Sequence, residues 1–285
     1  MTTTRLEWYD LAAEVRIAVA ELTGPIHAVQ PVDGGFNSQI AVRLETEGGS
    51  VFVKGLKSDH PRAWTQRREA EVSRHTGPLA PRLLWTLNTL GWDLLGFEFI
   101  KGRHADYSPG SADLALLAKA LTDLAAIPVP PLELKQAEDR WASFVDDPAV
   151  LTQFQGATLC HTDFNPENGL VDQGRLRLVD WAWATRGASW LDPALGIIWL
   201  IGNGRHSPKS AEAWASSIPA WCTAPPHAVD AFAEANARLW AGIASDNPGA
   251  WSDSLRDAAK RWSEYRQSLP VRYRTNGTTA ARESA

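Results

Sequence analysis

At 285 residues the chain exceeds one average domain and suits two lobes, and its 44% hydrophobic and 21% charged residues are ordinary globular usage with enough apolar material for a sizeable core. A net charge of −5 argues against a phosphate-backbone binder and so excludes nucleic acid as the expected partner. Two cysteines, Cys160 and Cys222, are too few for a disulfide framework or a zinc cluster.

The opening MTTTRLEWYD lacks the apolar stretch of a signal peptide, and no apolar run approaches the ~20 residues of a bilayer crossing. The expected location is cytoplasmic, with no membrane partner, as a monomer or homodimer. The 14 tryptophans are scattered without a fixed period, which excludes a propeller or solenoid reading.

In chain order, residues 6–22 have helical spacing and stop at Gly24-Pro25. Residues 39–45 and 50–54 are strand-like runs joined by the glycine-containing turn TEGG. Residues 62–75 are polar helix material, ended by Thr76-Gly77-Pro78, and 83–87 with 94–100 form a second strand pair. Past Lys101-Gly102-Arg103 the character changes. Ser111 is placed as the N-cap of a helix whose apolar positions are Leu114, Leu117, Leu121 and Leu124. IPVPPLEL is a proline-rich connector, and residues 190–201, 228–244 and 254–267 are predicted helices. This is an α+β chain: a β-rich N-terminal lobe over residues 1–101, a mainly helical lobe over 102–270, and a polar, unpatterned tail, 271–285, expected to be disordered.

The stretch 159–184, LCHTDFNPENGLVDQGRLRLVDWAWA, sets Asp163, Asn168 and Asp180 between apolar runs, where such groups are out of place unless something charged is held there. Two short strands around Asp172-Gln173-Gly174 would fold the chain back and bring Asn168 and Asp180 to one side. Asp163 lies five residues before Asn168, on a loop kept from helix by Pro166. Two carboxylates and an amide oxygen are hard ligands that suit Mg²⁺, an ion that shares its shell with waters and substrate phosphates.

His161-x-Asp163-x-x-x-x-Asn168 followed by Asp180-Trp181 resembles the catalytic and metal loops of the aminoglycoside phosphotransferase family, small-molecule relatives of the protein kinases. Thr162 stands where the kinase pattern has arginine, and Trp181 where it has phenylalanine. The resemblance runs from about residue 30 to 194 and implies a bilobal protein-kinase-like fold. It implies that Asp163 is the catalytic base, that Asn168 and Asp180 hold Mg²⁺ against the nucleotide phosphates, that His161 fixes the loop backbone, and that Asp192 in WLDPA braces the loop. Lys54 in VFVK resembles the lysine that pairs with the α/β-phosphates. Its partner is Glu69 or Glu71, which face different sides of a helix, and the family pattern favours Glu69. GGFNSQ, residues 34–39, takes the place of the phosphate-covering loop without a Walker A or G-x-G-x-x-G sequence, and its backbone N–H groups with the Asn37 or Ser38 side chain would reach the phosphates. GFEFIKG, residues 96–102, resembles the hinge, where the Glu98 C=O and the Ile100 N–H would bond the adenine.

The implied activity is Mg²⁺-dependent transfer of the γ-phosphoryl group of ATP, or GTP, to a hydroxyl of a small molecule. The acceptor is an antibiotic, aminoglycoside-like or other, or else a metabolite of choline, sugar, homoserine or ketosamine type. Intact Lys54, Asp163, Asn168 and Asp180 weigh against a catalytically inactive nucleotide-binding protein, and the short run from Asp180 to Asp192 leaves no room for the activation segment of a protein kinase. Cys160 has no third group spaced to orient it with His161 as a nucleophile, so it is read as a buried thiol. Most of Trp199, Trp214, Trp221, Trp240, Trp251 and Trp262 are read as core between helices. Asp230, Glu234 and Glu264 are the acids that the helical lobe could offer a polycationic acceptor.

Overall fold

The computed structural model describes residues 4–32 and 38–270; Asn37 and the tail 271–285 lie outside them. The chain divides into two units, one formed by Met1–Arg103 with Arg177–Trp183, the other by His104–Leu176 with Ala184–Ala285. Helix and sheet are both well represented, as an α+β chain requires.

In the first unit the chain runs through α1 (Ala13–Thr23), β1 (Ile26–Pro31), β2 (Ile40–Thr46), β3 (Gly49–Lys57), α2 (Ala63–Ser73), β4 (Leu83–Thr89) and β5 (Trp92–Glu98). The strands form one antiparallel sheet in the order β1-β2-β3-β5-β4. Alternation along β3 sorts its side chains between two faces. Val51 and Val53 join Val42, Leu44 and Leu94 in a core closed by Trp8, Leu11, Val15 and Val19. Phe52 turns the other way and packs with Leu95, Phe97 and Ala70 of α2. Lys54 shares the Phe52 face by the same period, which points it at α2. Gly96 of β5 admits the Trp85 ring so closely that a Cβ there would lie 2.1 Å from it.

The expected first helix is shorter than 6–22. Trp8–Asp10 forms a separate 3₁₀ turn in which Asp10 Oδ2 accepts the Glu7 N–H at 2.8 Å, and Leu11 then drops into the core before α1 begins. Strand β1 had no clear signal because it is an edge strand: only Ile26 and Val29 are shielded from solvent, so the alternation that marks a strand is weak.

The chain enters the second unit within β6 (Arg103–His104) and continues as α3 (Asp113–Ala125), β7 (Lys135–Gln136), α4 (Ala137–Trp141), β8 (Thr158–Cys160), β9 (Gly169–Asp172) and β10 (Arg175–Leu178), rejoining the first unit at Arg177. After Trp183 follow β11 (Thr185–Gly187), α5 (Leu191–Gly202), α6 (Pro208–Ala215), α7 (Pro219–Cys222), α8 (Pro226–Asp246) and α9 (Ala250–Ser268). Strand β11 runs parallel to β7 and antiparallel to β8. Helix α5 is buried from Leu191 to Ile201, apolar on every side past Asp192, and packs on α6 and α9. Trp141, Phe154, Trp190 and Phe232 meet edge to face beside it.

Helix α3 starts after Ala112 rather than Ser111; the Ser111 hydroxyl still accepts the Asp113 N–H at 3.2 Å. Helix α6 was not expected, being only eight residues long, yet it buries Ala211 and Ala215 on one face, and the Ser207 hydroxyl caps it by accepting the Ser210 N–H at 3.1 Å. Trp199, Trp221 and Trp262 are core, whereas Trp251 is half exposed. Among the described residues no helix is long and apolar enough to cross a membrane.

Candidate active site

In the first unit Lys54 is buried and lies between two carboxylates, with its Nζ 2.7 Å from Glu69 Oε2 and 3.4 Å from Asp180 Oδ1. Helix α2 buries Gln66, Glu69, Ala70 and Ser73, the spacing of one helical face, and so turns Glu69 to the sheet. Glu71 falls on the outer side, 54% exposed and 4.0 Å from Arg68. Burial alone would pull the Lys54 ammonium down, but Asp180 and Glu69 outweigh it and hold the group above the ordinary lysine range. Burial pushes the Glu69 carboxyl up, and Lys54 opposes it.

Asp180 adopts left-handed backbone, φ +63°, in the segment that returns to this unit. Its neighbours fix it. Buried Trp181 donates its indole N–H to the Leu178 carbonyl at 2.9 Å, and Arg177 donates to the Ala80 carbonyl at 2.7 Å while pairing with the Glu98 carboxylate. Glu98 ends β5, its N–H donating to the Arg82 carbonyl, and Ile100 follows in irregular, partly buried backbone. Ser38 is buried, and its hydroxyl accepts a long bond, 3.4 Å, from Gln66 on the same face of α2 as Glu69.

The second unit holds His161, Asp163, Asn168 and Asp192. Asp192, in the first turn of α5, accepts the N–H groups of His161 at 2.9 Å and Thr162 at 3.0 Å. His161 is fully buried against Phe164, and its Nδ1 accepts the Asp163 N–H at 3.2 Å. The Asn168 amide nitrogen donates to Asp163 Oδ2 at 3.0 Å and to the Asp163 carbonyl at 3.3 Å, which sets the partly exposed carboxylate of Asp163 in place. Burial pushes the Asp192 carboxyl up to about 7, against the His161 and Thr162 N–H groups and the charge of Arg140. Cys160 is buried, and burial lifts its thiol far above the ordinary range, which suits an inert thiol.

Two participants were missed from the sequence. Arg140 of α4 donates to the Thr162 hydroxyl at 2.7 Å and the Thr185 hydroxyl at 3.1 Å, and Arg177 anchors the segment that carries Asp180. Neither had a signal, since a lone arginine on a short helix or strand is ordinarily a solvated residue. The acids of the helical unit are engaged: Asp230 pairs with Arg266, Glu234 with Arg238, and Glu264 with Lys260.

No protein-family model matches the chain, and no curated protein matches it by sequence. Solved structures do match. The aminoglycoside phosphotransferase APH(4)-Ia aligns over 91% of this chain and 100% of its own, with a TM-score of 0.58 at 16% identity. The choline kinase LicA from Streptococcus pneumoniae aligns over 88% of this chain and 98% of its own, with a TM-score of 0.59 at 15% identity. A thermostable mutant of APH(4)-Ia in a ternary complex with ADP and hygromycin B aligns over 87% and 99%, with a TM-score of 0.56 at 15% identity. The chain therefore has the protein-kinase-like fold that these small-molecule phosphotransferases share.

Proposed function

We propose that the protein transfers the γ-phosphoryl group of ATP, or GTP, to a hydroxyl of a small molecule. The observation that carries this reading is the buried Lys54 paired with both Glu69 and Asp180, in a chain of kinase-like fold whose second unit presents Asp163 on a loop pinned by Asn168. Lys54 would pair with the α/β-phosphates, aligned by Glu69. The Ser38 side chain would approach the phosphates, and the backbone at Glu98 and Ile100 would bond the adenine. Asp163 would take the proton of the acceptor hydroxyl as its oxygen bonds to phosphorus and the bond to the departing diphosphate breaks. His161 and Asp192 would keep the loop in shape for that transfer.

In this reading Asn168 and Asp180 would each supply a hard oxygen to Mg²⁺. The Asn168 nitrogen is committed to Asp163, which leaves its amide oxygen for a cation, and Asp180 adds a carboxylate. Such an ion would complete its shell with waters and the nucleotide phosphates. When bound, it would neutralise charge on the nucleotide phosphates.

A nucleotide donor is supported by neighbours solved with AMP and with ADP. For the acceptor, hygromycin B in one neighbour supports an antibiotic. The pairing of Asp230, Glu234 and Glu264 with cations, together with the likeness to a choline kinase, favours a metabolite of lower charge as the second reading. The test is ADP release with Mg²⁺ across aminoglycosides, nucleoside antibiotics, macrolides, sugars, choline, homoserine and ketosamines. Release with at least one acceptor, lost in Asp163→Ala, is expected. MgATP that raises the melting temperature without any ADP release would instead mark an inactive nucleotide-binding protein.

A further inference from the structure

Thr162 stands at φ +67°, left-handed backbone that a β-branched residue rarely adopts, so something must hold it there. The turn matters because the residues on its two sides meet across it, the Asp163 N–H donating to His161 Nδ1. One clamp acts on the backbone, where Asp192 accepts the N–H groups of His161 and Thr162. A second acts on the side chain, where the Thr162 hydroxyl accepts from Arg140 at 2.7 Å. The same guanidinium nitrogen reaches the Thr185 hydroxyl at 3.1 Å, and Thr185 of β11 lies directly across from Cys160 of β8, the residue before His161. Arg140 thus joins α4, the loop and β11 at one point.

Charge supplies the second argument. The run His161-Thr162-Asp163 carries no fixed cation of its own, and burial, which works against the Arg140 charge, is opposed there by the carboxylates of Asp163 and Asp192. We infer that Arg140 is a positioning residue: its guanidinium locks the Thr162 turn and so sets the aim of Asp163, while balancing the two carboxylates on either side of that turn. The inference rests on the proposed role of Asp163 as the base. A lysine would keep the charge but carry it on a flexible stem, so the single nitrogen that serves both hydroxyls would no longer be held in place by a planar guanidinium. A packing residue would act differently, since its loss would lower stability and every kinetic parameter together.

The experiment uses the full chain as wild type, Arg140→Lys, Arg140→Met and Thr185→Val. ADP release is followed with the best acceptor of the panel, or with water where none is found, together with the KM for MgATP and the melting temperature. Arg140→Met should lose about ten- to a hundred-fold in kcat with the KM for MgATP held within about twofold. Arg140→Lys should recover part of that loss, and Thr185→Val should lose a few-fold in kcat at unchanged KM. Should Arg140→Met fail to fold, the lysine and valine variants carry the same expectation. Wild-type kcat in these variants overturns the inference and leaves the proposed function standing. So does a KM that rises as kcat falls, or a lysine variant no better than methionine. A wild type that releases no ADP under any condition removes the proposed function and this inference with it.

Discussion

In the first unit the charged side chains hold one another: Lys54 from β3 stands in a buried set between Glu69 from α2 and Asp180 from the returning segment, one cation serving two carboxylates. Around the Asp163 loop of the second unit, polar side chains largely hold backbone instead, with Asp192 on the N–H groups of His161 and Thr162, His161 on that of Asp163, and Asn168 on the Asp163 carbonyl, while Asn168 and Arg140 also reach side chains. Deleting one member of a buried charge set strands the others, whereas deleting a side chain carried by a well-scaffolded loop leaves the scaffold behind. Stability and activity should therefore part company in the second unit and travel together in the first.

The largest effect is expected from Asp163→Ala, with turnover down by about 10²- to 10⁴-fold, while the melting temperature and the stabilisation by MgATP change little. A collapse in melting temperature would show that Asp163 is itself part of the scaffold and would break the contrast. Lys54→Met should lower turnover and also destabilise the fold by about 3–5 kcal/mol, because Glu69 and Asp180 are left buried without their cation. Urea denaturation measures this, and unchanged stability would mean the set is not energetically coupled.

Asp192→Asn sharpens the second half of the contrast through pH. Burial raises the Asp192 carboxyl from the ordinary 3.8 to about 7, so the folded chain holds that proton more tightly than the unfolded chain does. The stability gained is complete below about pH 4 and is lost as pH rises to about 7, so wild type should lose ground against Asp192→Asn across that window. Denaturation curves that stay parallel across those pH values would contradict it. The smallest effect belongs to Glu71→Gln, expected to stay within about 0.5 kcal/mol and near wild-type turnover because Glu71 lies on the outer side of α2. Glu69→Gln measured beside it should differ clearly in both respects.

Much of this architecture was legible locally. The apolar runs of β2, β3 and β5 and the leucine spacing of α3 mark buried elements, and the structure places them within a few residues of the expected limits. Two elements were hidden for physical reasons. Strand β1 is an edge strand with little to bury, and α6 is a helix of eight residues whose buried face rests on two alanines, too short and too small-sided to mark a period. The 3₁₀ turn at Trp8–Asp10 interrupts what reads as one helix because Asp10 closes it onto Glu7.

The sequence by itself determined the α+β class and the short run in which Asp163 and Asn168 meet. Each follows from a period or a spacing of a few residues, and such short-range geometry is set by the backbone. Only the tertiary structure decided that Arg140, more than twenty residues upstream of Thr162, reaches its hydroxyl, that Asp192 seats two N–H groups of that loop, and that Arg177 ties its segment to Glu98 and Ala80. A polar side chain finds its partner wherever the folded chain returns within hydrogen-bond reach, and no local pattern records where that will be.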